Sequence, residues 1–233
     1  MSAVSIKQFF KDFDALFFPN ICQACGGSLV QQENVFCTTC LHQLPYTNYH
    51  LNPDNKLAKQ FWGRIKIQSA AAFLYFNKAG KVQNMMHQLK YNNQPKVGVE
   101  LGKLYGKELI KEFCYTQIDG IIPVPLHPKK FKKRGYNQSE QFANGLSEIL
   151  NVPVYTDILI RNLEKESQTG KSRSLRFDNM ESVFTAQSNH PKLNNVLLVD
   201  DTITTGATLE TCAAVLQNIG IQNINIVGVA FTE

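Results

Sequence analysis

The 233 residues are 43% hydrophobic and 10% aromatic, enough for a packed core, which excludes a disordered chain. Their length suits one α/β domain with a small appendage, or two small domains. A net charge of +5 admits an anionic ligand without requiring one, and the longest nearly apolar run, residues 70–76, is far short of the roughly 20 that cross a bilayer. Lys7, Lys11, Asp12 and Asp14 interrupt the N-terminal phenylalanines, leaving no apolar core of a secretory leader, so a cytoplasmic protein without a transmembrane segment is expected.

Ile6, Phe9, Phe10, Phe13 and Phe17 fall at helical spacing and predict an amphipathic helix over residues 5–18. Its polar face mixes Lys with Asp, which favours docking on the protein's own body over a membrane surface. Cys22, Cys25, Cys37 and Cys40 then form two pairs, each with two residues between partners. Four thiolates so spaced can converge on one point as a tetrahedral zinc set, and with every place filled the metal would be structural rather than catalytic. Reduced thiols or a redox pair are the alternative. Cys114 and Cys212 stand alone. Pro45, Pro53 and several Asn over 44–55 read as a linker, which closes an N-terminal helix and zinc module at residues 1–55 and leaves 56–233 as a second domain.

Residues 65–76 turn β-branched and aromatic, as one or two strands would. Val82, Met85, Met86 and Leu89 predict a short helix, its Met pair serving the core. Leu101, Leu104, Tyr105, Leu109 and Phe113 mark another helix, residues 118–124 a strand, and 137–150 a helix burying Phe142, Leu146, Ile149 and Leu150. A short strand is expected over 152–159. Such alternation belongs to a parallel α/β sheet. Between strand and helix, Lys129, Lys130, Phe131, Lys132, Lys133 and Arg134 place five cations and one ring in six residues. As a loop this run would attract phosphates, with Phe131 able to stack on a base; a merely solvated loop is the alternative. His127 reads as a turn residue. The polar stretch 161–182 has little apolar periodicity, and a loop of that length is usually functional.

The most informative stretch is 196–209. Val196, Leu197, Leu198 and Val199 form an uninterrupted apolar run, as in a strand buried on both faces. Asp200 and Asp201 stand at its carboxyl end, where open α/β sheets place ligands. Thr202, Thr204, Thr205, Gly206, Ala207 and Thr208 then lead into a helix running to about Asn218, and a last strand covers 224–229. Amides of such a loop and of the first helical turn are orphan donors that favour an anion, and the threonine hydroxyls add to them. The loop lacks the Gly-Lys-Ser/Thr of a triphosphate site, so a terminal phosphomonoester fits better than a polyphosphate. Two carboxylates beside it can accept from vicinal hydroxyls. Phosphate with a diol is ribose 5-phosphate. The bland alternative is that the carboxylates merely end a strand and Thr205 caps a helix.

Residues 199–209 resemble the phosphoribosyl pyrophosphate (PRPP) motif of type I phosphoribosyltransferases. With the four cysteines, Phe18-Pro19, Leu44-Pro45, Leu89-Lys90-Tyr91, the segments 123–128 and 134–138, Gln168 and Arg176, nearly the whole chain resembles the ComF family (competence protein F, ComFC-like, amidophosphoribosyltransferase-like). The resemblance implies a type I phosphoribosyltransferase-like central parallel sheet with flanking helices and a hood, plus the small N-terminal four-cysteine zinc module. It implies that Asp200 and Asp201 hold the ribose hydroxyls as the catalytic pair. Thr202, Thr204, Thr205, Gly206, Ala207 and Thr208 would bind the 5-phosphate. The segment 129–134 would serve pyrophosphate, nucleic acid or both, and a lid would carry Gln168, Arg173 and Arg176.

Magnesium would accompany PRPP. Family members act in natural transformation on incoming single-stranded DNA with a ComFA-like helicase. Two classes of function follow: a phosphoribosyltransferase, whether in transformation or in nucleotide or nucleobase metabolism, with an acceptor the resemblance does not name, or an adaptor for a DNA-uptake helicase that binds PRPP or a nucleotide without turnover.

Overall fold

A computed structural model describes residues 20–78, 80–162, 183–187 and 189–232. The helix expected over 5–18 and the lid residues Gln168, Arg173 and Arg176 lie outside them.

Four strands build the central sheet: β1 Ser69–Tyr75, β2 Gly120–Pro123, β5 Asn195–Ile203 and β6 Asn223–Phe231. All pair in parallel, in the order β1-β6-β5-β2. The two central strands are buried on both faces, which is why their sequences read as nearly continuous apolar runs. Alternation along each strand sends Ala71, Phe73, Ile121, Leu197, Val199, Val227 and Val229 into one core and Ala70, Ala72, Ile122, Val196, Leu198, Ile224 and Ile226 into the other.

The first core is covered by three helices: α3 Lys81–Tyr91, α4 Pro95–Leu109 and α7 Gln138–Leu150. Helix α4 starts earlier than its apolar stripe suggests, because Pro95 pre-sets the first turn. It ends at Leu109 in a tightened turn, and α5 Phe113–Thr116 is separate. Helices α4 and α7 meet backbone to backbone. A Cβ on Gly102 would lie 2.2 Å from the Phe142 carbonyl oxygen, and one on Gly145 would lie 2.0 Å from that of Val99.

The second core lies under α8 Ala207–Asn218 and α2 Lys56–Lys59, with Leu159 and Phe184 from a small antiparallel hairpin of β3 Leu159–Arg161 and β4 Phe184–Ala186. The strand expected over 152–159 is therefore displaced. Val154 makes one isolated parallel bridge to Ile121, beside Pro153, which has no N–H to extend a ladder.

The cysteine segment, with α1 Thr38–His42, packs on the same side as α3. Cys22, Ala24, Val35, Phe36, Cys40 and Leu44 join the core that holds Leu197 and Val199. Asn84 of α3 donates to the Ala24 carbonyl at 3.0 Å. The stretch read as a linker is docked along β1: Thr47 N donates to Phe73 O at 3.1 Å, and Tyr75 N to Pro45 O at 2.8 Å. Buried Asn55 ties it down, its amide nitrogen donating to Tyr49, Asn52 and Ala70 carbonyls while its oxygen caps α2.

The basic run expected as a loop is a helix, α6 Pro128–Arg134. Pro128 occupies its first turn, the His127 ring nitrogen accepts from Lys129 N at 3.0 Å, and Gly135 ends it at φ +81. With no buried residue it has no apolar period, so caps rather than pattern define it.

Candidate functional site

Strands β2 and β5 pair in parallel, so their carboxyl ends lie side by side at one edge of the sheet. Strand β5 runs further than its apolar core, carrying Asp200, Asp201, Thr202 and Ile203 while β6 continues to pair through Phe231. Thr204 and Thr205 follow as exposed residues, then Gly206 at φ +73. Glycine is required there twice over, since a Cβ would also lie 2.8 Å from the Phe61 ring. Gly206, not Thr205, is the N-cap of α8, and it supplies no side-chain acceptor. The first amides of a three-turn helix therefore face the threonine loop without a side-chain cap.

The two carboxylates are held differently. Asp200 Oδ1 accepts from Ser139 Oγ at 3.0 Å and from the Asp201 amide at 2.8 Å. Burial, then the neighbouring Asp201, pushes the Asp200 carboxyl up to about 7 against the pull of those donors and of Lys90. An acid raised in this way costs stability as pH climbs from its ordinary value toward 7, because the unfolded chain releases the proton first. Asp201 Oδ2 instead lies 3.2 Å from Lys90 Nζ, which also donates to Thr202 Oγ1 at 3.0 Å.

Lys90 and Ser139 thus belong to the site, though nothing in composition or periodicity marks them. Lys90 sits in the last turn of α3, one residue past the buried stripe. Ser139 is a buried polar residue at the start of α7, next to Asn137, whose amide donates to Val124 O at 2.9 Å and whose oxygen accepts from Ser139 N. Tyr136 donates to Leu89 O at 2.5 Å. Residues 136–139 therefore bind the exit of β2, the end of α3 and Asp200 into one frame.

Helix α6 lies beyond β2. Arg134 turns back from it, its guanidinium 5.4 Å from the Tyr91 ring centroid and Nη1 donating to Gln138 at 2.7 Å. Lys129, Lys130, Lys132 and Lys133 remain exposed, with no acidic partner among the described residues, and the Phe131 ring is about half exposed. The structure separates this group into an anchored arginine, four exposed lysines and one half-exposed ring.

At the opposite side of α3, the sulfurs of Cys22, Cys25, Cys37 and Cys40 lie within 4.8 Å of one another, with Cys25 and Cys37 at 3.9 Å. Zinc–sulfur bonds of about 2.3 Å in a tetrahedron imply edges of about 3.8 Å, so the donor set fits such a metal. Backbone amides point at it: Cys37 N donates to Cys22 Sγ at 3.2 Å and Cys40 N to Cys37 Sγ at 3.4 Å. Burial opposes ionisation of Cys22, but amide donors from Cys37, Ala24 and Cys25 outweigh it and bring the thiol down to about 7. The cluster can hold a metal such as zinc.

Among the described residues no helix is long and apolar enough to cross a membrane. Residues 137–232 match the family model of the phosphoribosyl transferase domain. The chain is 28% identical over 225 residues to competence protein F of Haemophilus influenzae, covering 92% of this chain and 98% of that protein. It is 26% identical over 214 residues to DNA utilization protein YhgH of Escherichia coli, covering 88% of each. Over 100 residues it is 34% identical to competence protein ComFC of Bacillus subtilis, covering 43% of this chain and 39% of that one. The parallel sheet, the cysteine cluster and these relatives agree, and together they support a ComF-family protein with a phosphoribosyltransferase domain.

Proposed function

We propose that the protein binds PRPP with its ribose against Asp200 and Asp201, acts as a phosphoribosyltransferase, and serves natural transformation by handling single-stranded DNA. The observation that carries the reading is the juxtaposition on β5 and α8: a carboxylate pair, then threonine hydroxyls, then a helix start with no side-chain cap. The carboxylates accept from the ribose hydroxyls. Thr204, Thr205, Thr208 and the first amides of α8 donate to the 5-phosphate, with Gly206 and Ala207 giving backbone access.

Breaking the bond from C1 to pyrophosphate leaves positive charge on the ribose, which the carboxylates are placed to stabilise. Arg134 and the α6 lysines supply cations for the departing pyrophosphate. Magnesium, when bound, would be held by pyrophosphate oxygens, ribose hydroxyls and water and would neutralise the leaving group. Zinc on the four cysteines would be structural, since no coordination place stays open.

Asp200→Asn combined with Asp201→Asn is expected to weaken PRPP–magnesium binding by at least about 2 kcal/mol, two charge-assisted hydrogen bonds being lost or weakened. Calorimetry on wild type and variant, with circular dichroism as the check on folding, reads this directly. Equal affinity in a folded variant removes the ribose role from the pair.

The lysine face of α6 favours a nucleic-acid backbone, and Phe131 offers a ring to stack on a base. Binding to single-stranded DNA should fall steeply with salt, and replacing Lys132 and Lys133 with glutamine should reduce the slope by roughly 0.7 per lost phosphate contact. Absence of any single-strand binding at low salt ends the DNA part of the reading.

A further inference from the structure

We infer that Lys90 is a positioning residue of the ribose site, supplying the positive charge that lets two adjacent carboxylates both face a diol as acceptors. This rests on the reading of Asp200 and Asp201 as the ribose site.

The Lys90 side chain is only about one-fifth exposed, and its ammonium touches two consecutive residues of β5, Asp201 at 3.2 Å and Thr202 at 3.0 Å. A lysine this far from water is costly unless its partners are fixed. Here its own backbone is fixed as well. Leu89 is fully buried and its carbonyl accepts from Tyr136, while the Tyr91 ring lies against Arg134. Lys90 is clamped by its neighbours on both sides, so its head is placed without a conformational search.

Burial and then the neighbouring Asp201 charge favour the protonated form of Asp200, which turns an acceptor into a donor, and a nearby cation opposes this. The groups around the pair are few. Ser139 from α7 is neutral, Cys212 from α8 is a buried thiol, and the Arg161 charge from β3 bears on Cys212 rather than on the pair. Lys90 makes the one ion pair with these carboxylates among the described residues. One ammonium also leaves room for substrate, because a carboxylate offers about four acceptor sites and Lys90 occupies one.

The test uses Lys90→Met and Lys90→Arg in the full chain, read two ways. Carbon-13 titration of the aspartate carboxyls, with no ligand, should show the upper apparent pKa of the pair rising by about half a unit or more in Lys90→Met and staying near wild type in Lys90→Arg. PRPP–magnesium affinity measured against pH should be reduced about two- to threefold near neutrality in Lys90→Met for a half-unit rise, and recover as pH rises. A merely structural lysine would lower affinity equally at every pH and leave the carboxyl titration unmoved; either result overturns the inference. If Lys90→Met does not fold, the wild-type Lys90 side-chain resonances serve instead: they must follow the titration of the pair, and indifference overturns the role. Wild type that never binds PRPP defeats the underlying reading, while the ligand-free titration still decides on Lys90.

Discussion

Replacing Cys25 and Cys37 with serine is expected to abolish zinc binding and to lower the stability of the whole fold by at least ~3 kcal/mol. Cys25 is exposed and Cys37 half-buried, so serine there removes little packing, and the loss reports on the metal. Structural zinc sites bind with about 10–16 kcal/mol, comparable to or above the 5–15 kcal/mol that separates a folded domain from its unfolded chain. Only part of that energy need appear for the effect to be large. It spreads because the segment is not a free appendage: Cys22 and Cys40 are buried in the core that also holds Leu89 and Val199. Elemental analysis should find one zinc per wild-type chain, and urea melts of wild type and variant should separate. The crevice should still take PRPP while the variant remains folded. Absence of zinc from wild type purified without chelators overturns the assignment.

Gly145→Ala is expected to cost ~3 kcal/mol, near the upper end of overpacking penalties. The added carbon would meet the carbonyl oxygen of Val99 at 2.0 Å, its carbon at 2.8 Å and the Gly102 Cα at 2.9 Å. These are all backbone atoms, with no side chain to swing aside, so α4 and α7 must separate. Such a shift also moves Ser139, at the start of α7, from Asp200. Gly80→Ala, at the N-cap of α3, is the control for steric clash, since its Cβ would find the nearest atom at an ordinary 3.5 Å, and it should cost no more than about 1 kcal/mol through the weaker cap. Thermal melts of the two variants decide the point, and equal midpoints would show the helix contact to be soft.

What was legible in the sequence had local causes. The segment from Val196 to the start of α8 declares itself because a doubly buried strand must be apolar, and a carboxylate pair followed by a threonine- and glycine-rich turn has few uses other than ligand binding. The cysteines declare themselves by spacing alone. Lys90 is marked only as part of a resembling segment, and Ser139 not at all, because their role comes from packing α3 and α7 on either side of β5, and a lysine after an apolar stripe looks like any helix end. Helix α6 was illegible for the opposite reason: it buries nothing, so periodicity has nothing to report. The β3–β4 hairpin joins residues on opposite sides of a long polar stretch, a pairing no short window contains. Glycine in α4 and α7 reads as a weak helix former, although the close approach of the two helices requires it.

Strand β1 has β6 as its sheet neighbour, with Ser69 opposite Asn225 and Tyr75 opposite Phe231. During synthesis β1 must therefore wait for residues 223–231, some eight to thirty seconds at about 5–20 residues per second. A strand kept waiting that long is a target for neighbouring nascent chains. Its sequence answers the hazard: Ala70, Ala71 and Ala72 offer small side chains of low β-propensity, with little surface for another strand to grip. The same alanines pair with Ile226, Val227 and Gly228 of β6 once it arrives.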